Sequence, residues 1–276
     1  MRLFLILLLF LLSHSYILAQ NQTEYESLVE RAVRAAQDKR WDDSEKLFRD
    51  ALKLSPNDFR NSLVYADLGK VKEAQGDNMK ALESYTLSLN IAPEAVPNLI
   101  LRAKLYLKMG NNDKAFVDYS KVIELNDENI EALLGRAYIY IQRRQYADAR
   151  LEYNRAISIA PDNYMAQLGI AISYHKQQNM KEALTRLSLM IDKYPEKAEL
   201  YSIRADIEME SNAMELAIAD MDKAVSLEPT NTNYVMTRGY IHLKKGNKRL
   251  ARNDFEKAIN LGVPRSQLRQ ELKECK

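Results

Sequence analysis

Beyond its first twenty residues, the chain repeats one order of small, bulky and helix-stopping positions. Pro161, Pro195 and Pro229 stand 34 residues apart. The same step back from Pro161 reaches Asp127 and then Pro93, and Pro56 lies 37 residues before that. Forward from Pro229 the step reaches Val263, beside Pro264. Seven repeat units result, starting at Tyr25, Ser62, Val96, Ile130, Tyr164, Ala198 and Thr232. A period of this length marks stacked repeats.

Each unit reads as two helices joined by a tight turn. The eighth position is Ala32, Gly69, Ala103, Ala137, Ala171, Ala205 and Gly239, and the twentieth is Ser44, Ala81, Ala115, Ala149, Ala183, Ala217 and Ala251. All are small, so two helices can approach closely. The twenty-fourth position is bulky, with Phe48, Tyr85, Tyr119, Tyr153, Leu187, Met221 and Phe255 filling the space between helices. The fifteenth is Gly76, Gly110, Gly246 or Asn212 in four units, residue types that readily enter a left-handed turn. A proline after the second helix stops it.

The first residues follow another pattern. Met1 and Arg2 precede an unbroken apolar run from Leu3 to Leu12, then Ser13, His14 and Ser15, and Ala19 offers a small residue for cleavage. This is the layout of a secretory signal peptide over residues 1–19, with a mature chain from Gln20. Ten apolar residues are too few to cross a bilayer core as a helix. The competing reading is an uncleaved anchor from Leu3 to Ala19. With the signal removed, the mature chain is expected outside the cytoplasm, in a periplasm or extracellular space, with no membrane span.

Composition removes several function classes. Apolar residues make up 46% of the chain and charged residues 28%, which is globular rather than disordered. A net charge of +2 argues against nucleic acid as a partner. One Cys, Cys275, excludes an intrachain disulfide and a Cys-based zinc site, and three His exclude a His-rich metal site. Cys275, next to last, is expected to be an exposed tail residue, the alternative being an intermolecular disulfide. Phosphate loops, nucleophile elbows and metalloprotease motifs are missing. His175 and His242 are expected at the surface or in a groove, without a catalytic role. No enzyme and no cofactor is expected.

The repeat units resemble the tetratricopeptide repeat family, a 34-residue helix-turn-helix with small residues at positions 8 and 20, an aromatic at 24 and proline at 32. The match weakens at position 4, where the family's usual Trp is replaced by Leu28, Tyr65, Leu99, Leu133, Gln167, Tyr201 and Val235. The resemblance implies an all-α fold, an α-solenoid forming a right-handed superhelix with a concave face lined by the first helices. Its repeats fall at about 25–58, 62–95, 96–129, 130–163, 164–197, 198–231 and 232–265, within 20–263. Residues 264–276, with the apolar pair Leu268 and Leu272, read as a polar capping helix.

One charge pattern accompanies the repeat. In four units an arginine at position 7 is matched by an acid at position 23: Arg102 with Asp118, Arg136 with Glu152, Arg204 with Asp220, Arg238 with Asp254. Units with Leu68 or Ile170 at position 7 carry Ser84 or Arg186 instead of the acid, and Arg31 is set against Leu47. Structural ion pairs within each repeat are the favoured reading, because an arginine beside a packed core needs a carboxylate. The other reading is an arginine ladder that binds anions.

The resemblance also nominates a binding face. Positions 2, 5, 9 and 12 of the first helices place Leu134, Tyr138, Ile141, Met165, Leu168, Ile172, Met236 and Tyr240 in the concave groove. The helix IEALLGRAYIYIQ is apolar nearly all round, which a free surface helix should not be. Either curvature buries this face, or a partner segment or second copy fills it. Some family members grip a chain-end carboxylate with Lys at position 5 and Asn at position 9, and no unit here has either. The expected function is an exported protein–protein interaction scaffold whose apolar groove takes a protein or peptide segment, with self-association possible. The rival is a regulatory or assembly subunit of a cell-envelope complex.

Overall fold

The computed structural model describes residues 21–276. The signal-peptide reading of residues 1–19 lies outside the described residues. Among the described residues there are fifteen helices and no strand. Helix α1 covers residues 21–37. It is followed by α2 (Trp41–Leu54), α3 (Asn61–Ala74), α4 (Asn78–Ile91), α5 (Val96–Lys108), α6 (Asn112–Leu125) and α7 (Ile130–Gln142). Then come α8 (Tyr146–Ile159), α9 (Tyr164–Lys176), α10 (Met180–Lys193), α11 (Ala198–Glu210), α12 (Met214–Leu227), α13 (Thr232–Lys244), α14 (Lys248–Asn260) and α15 (Arg269–Glu274). The chain divides into two compact halves, up to Ile139 and from Tyr140, so the boundary falls within α7. Within each half, helices pack against their neighbours in sequence: α3 on α4 and α5 on α6 in the first, α9 on α10, α11 on α12 and α13 on α14 in the second.

Short helices need tertiary packing, and here it comes from fixed positions. The alanines of the eighth and twentieth positions are fully buried, and Ser44 spends its hydroxyl on the Ala32 carbonyl at 2.8 Å. Phe48, Tyr85, Leu187, Met221 and Phe255 are also fully buried. Each such side chain contributes roughly 1.5–3 kcal/mol on leaving water. Two further glycines take part. A Cβ on Gly135 would meet the Tyr119 ring at 2.5 Å, and one on Gly169 would meet the Tyr153 ring at 2.3 Å. The aromatic of one second helix therefore lies directly on the backbone of the next first helix.

The turns use one geometry. Positive φ occurs at Lys39, Gly76, Gly110, Arg144, Gln178, Asn212 and Gly246. The next residue then bonds back five positions, as in Asp77 N–H to Lys72 carbonyl at 2.9 Å and Asn179 N–H to Tyr174 carbonyl at 2.9 Å. This satisfies carbonyls that the ending helix leaves open. Trp41 opens α2 and packs against the core of the first helices.

At the C-terminus the helix is shorter than the capping segment, covering Arg269–Glu274. Leu268, Leu272 and Cys275 fall on one face and pack onto Val235, Phe255 and Ala258. Cys275 is therefore buried, 7% exposed, and not the exposed tail residue expected. Burial also pushes its thiol pKa up, away from thiolate chemistry.

Candidate functional site

Arginines from first helices reach acids on second helices with one repeated geometry. Arg102 donates from Nε and Nη2 to the two carboxylate oxygens of Asp118 at 2.9 and 2.8 Å. Arg204 does the same to Asp220 at 2.6 and 2.7 Å, and Arg238 to Asp254 at 3.0 and 2.6 Å. The three aspartates are buried. The paired carboxylates hold each guanidinium pKa above its ordinary value. In these three units the planar fork is spent on the acid and is not offered to an outside anion.

Arg136 and Glu152 lie in different halves. Arg136 Nη1 donates to Ser120 Oγ at 3.4 Å, while buried Glu152 accepts from Arg155 Nη1 at 3.3 Å.

The remaining nitrogen has a role that the sequence reading missed. Arg204 Nη1 donates to Ser188 at 3.0 Å and Arg238 Nη1 to Asp222 at 2.8 Å. Ser120, Ser188 and Asp222 all hold position 25 of the preceding unit. Arg204 and Arg238 thus tie their own helix pairs to the second helix before them. The signal available in sequence was the polar residue at position 25.

The apolar first-helix residues separate by exposure. Met165, Tyr138 and Tyr240 are 60%, 48% and 39% exposed. Leu134, Ile141, Ile172 and Met236 are half-buried. Leu168 is a correction. It is 5% exposed, within a core cluster holding Ala171, Leu187 and Leu200, because it stands one helical turn before core residue Ala171. Leu134 and Tyr138 belong to the first half, and Ile141, Met165, Ile172, Met236 and Tyr240 to the second. Tyr240 leans on Phe255, ring centroids 5.2 Å apart, and its hydroxyl donates to Glu271 of α15 at 3.4 Å, so part of it packs toward that helix.

His175 pairs with Glu210 at 2.8 Å. His242 departs from expectation: it is buried, its Nδ1 has no hydrogen-bond partner, and burial lowers its pKa. Glu208 occupies the same position of the preceding unit, one turn after Arg204 as His242 is after Arg238. It too is buried, with Oε2 unpartnered. Burial first, then the charge of Asp220, pushes its pKa up to about 7, against the pull of Arg204. A carboxyl in that range could move protons, but its charged neighbours are the ion pair, and no nucleophile accompanies it. Among the described residues no group of three His, Cys, Asp or Glu is placed to hold a metal. Among them, too, no helix is long and apolar enough to cross a membrane.

Successive helix pairs with small contact residues, a buried bulky row and left-handed turns define a helical-repeat protein. The chain belongs to the tetratricopeptide repeat family, whose models match residues 100–164, 144–207, 198–231 and 233–261. Among solved structures, it resembles a tetratricopeptide repeat protein from Parabacteroides merdae, with 28% identity over 92% of this chain and 99% of that one and a TM-score of 0.77. PilW, a type IV pilus biogenesis factor, matches over 77% of this chain and 96% of its own, with 19% identity and a TM-score of 0.63. The Cut9 and Hcn1 assembly of APC/C matches over 95% of this chain and 58% of that chain, with 13% identity and a TM-score of 0.59. No curated protein matches the sequence. The fold is that of a protein–protein interaction scaffold, a family generally without catalysis.

Proposed function

We propose that this chain is an exported scaffold, built from seven repeats, that captures a partner protein segment through apolar side chains on its first helices. The observation that carries the reading is Met165, 60% exposed on α9, with Tyr138 on α7 also open to water. Exposed apolar side chains on the helices that line the groove in this family are what a partner's apolar anchors require. The apolar run from Leu3 to Leu12 and the small Ala19 support export.

A photoactivatable amino acid placed at Met165, at Tyr138, or at exposed Asp192 on α10 tests the face. Adducts to a discrete partner from Met165, and none from Asp192, are expected. Equal labelling from all three overturns the face. Co-purification of that partner at fixed stoichiometry makes the chain a permanent subunit of an envelope complex. Export is read from the mass of the purified protein, which should begin at or near Gln20 and lie outside the cytoplasmic fraction.

A further inference from the structure

An arginine–acid pair of the Arg204–Asp220 or Arg238–Asp254 kind bonds to two successive second helices, reaching Ser188 or Asp222 on the one before. Three units lack it: Arg31 faces Leu47, Leu68 goes with Ser84, and Ile170 goes with Arg186. A cavity opens in each of the three. That of the first unit, about 490 Å³, is lined by Arg31, Leu47 and other, mostly charged side chains. The other two share five lining positions. One, about 430 Å³, has Leu52, Tyr65, Leu68, Ser84 and Leu87 in its wall. The other, about 320 Å³, has Ile157, Gln167, Ile170, Arg186 and Leu189 at the same repeat positions, with Met190 and Lys193 beside them.

A second pattern follows the first. The twenty-sixth position is Lys121, Arg155, Lys223 or Lys257 in the four units with the arginine and acid, and Leu87 or Leu189 in the two with an aliphatic seventh residue. Leu189 is 60% exposed at the cavity edge. A leucine in water where sister repeats carry a cation extends the apolar wall outward.

We propose that the cavity between α8, α9 and α10 is a second binding site, for an aliphatic side chain of a partner polypeptide flanked by carboxylates. Ile157, Ile170, Leu189 and Met190 supply an apolar wall, and methionine adapts to the shape of what enters. The charged lining residues are Arg186 and Lys193, both cations. Arg186 uses Nε on Glu182 at 2.8 Å and keeps its Nη nitrogens for a guest, while Lys193 pairs with Asp162. A free small ligand is best held where most of its surface is enclosed. This cavity is open along the Leu189 edge, which suits a side chain on a segment lying across it. The site is separate from the first-helix face and from the reading above.

The test uses the full chain and the capped peptide acetyl-Ser-Glu-Leu-Glu-Ser-amide, followed by methyl NMR. Saturable shifts of the Ile157, Leu189 and Met190 methyl signals are expected. The Gln-for-Glu peptide should bind about twofold to fivefold more weakly, the range for exposed ion pairs. Ile170→Arg with Arg186→Asp installs the pair of the sister repeats and should abolish the shifts with the helical circular dichroism unchanged. Leu189→Gln, which removes the apolar edge at an exposed site and adds no charge, should weaken binding whether or not the double variant folds. Absence of saturable shifts, equal binding of both peptides, or full binding by Leu189→Gln overturns the proposal. Octanoate binding there more tightly than the peptide would replace the polypeptide with a free carboxylate ligand.

Discussion

At the scale of single residues, burial imposes a cost on an ionisable side chain packed over an ion pair. Glu208 is buried beside the Arg204–Asp220 pair, and its pKa stands near 7 against an ordinary 4.5. The folded chain keeps this proton where the unfolded chain has released it. The stabilising contribution is therefore complete below about 4.5 and lost as pH rises through about 7. Above that, the buried charge costs on the order of 3 kcal/mol at most. Glu208→Gln keeps the shape and removes the titration. Chemical denaturation should find the variant more stable than the parent at pH 8 and close to it at pH 4, and equal stability at pH 8 would refute the cost. His242 works in the opposite sense, since its lowered pKa makes its share fall as pH drops. The pairs themselves were legible because acid and arginine vary together from unit to unit. Glu208 and His242 were not, because their position also holds Lys72, Tyr106 and Tyr174, and no single chemistry marks it.

Gly169 is a second residue whose weight is visible only in three dimensions. Mid-helix, alanine is normally better than glycine by about 1 kcal/mol. Here a methyl group would sit 2.3 Å from the Tyr153 ring, which is itself buried. Overpacking of that kind costs about 1–3 kcal/mol and reverses the usual sign. Gly169→Ala should lower the thermal midpoint, and adding Tyr153→Leu should recover most of the loss. A stabilised single variant would mean that the ring has room to move.

At the scale of elements, turns and helix contacts were the most legible parts. Prolines and small residues recur because stacking two helices at close range leaves few choices at those positions. The left-handed residue was readable only where it is Gly or Asn; Lys39, Arg144 and Gln178 adopt the same φ without announcing it. A non-glycine residue there carries strain of about 1 kcal/mol or more, of which glycine's greater freedom when unfolded returns part. Gln178→Gly should therefore stabilise the second half by about 0.5 kcal/mol, seen as a small rise in midpoint, whereas Gly76→Gln should lower stability by a similar or larger amount. The proposed binding face was the least legible part. Periodicity assigns a residue to a face of its own helix but does not say which neighbouring helix covers it, so Leu168 and Met165 looked alike and only Met165 is open.

At the scale of the whole molecule, an array of this kind is held by contacts between neighbours, and its ends are where such contacts run out. The C-terminal end depends on a very short helix. Leu268 is fully buried and Cys275 nearly so, and both pack on Val235, Phe255 and Ala258 of the last pair. Deleting residues 265–276 would return those apolar side chains to water and leave α13 and α14 with one packed side fewer. Because coupling passes from neighbour to neighbour, the loss should be graded along the chain. Amide hydrogen exchange should show protection falling most in α13 and α14, less in α11 and α12, and not measurably in α3 to α6. The single change Leu268→Asp should reproduce the order at smaller amplitude, since it removes the buried anchor and keeps the chain. A uniform loss across all helices would show that the array unfolds as one cooperative block, and unchanged protection in α14 would show that the final helix is not its cap.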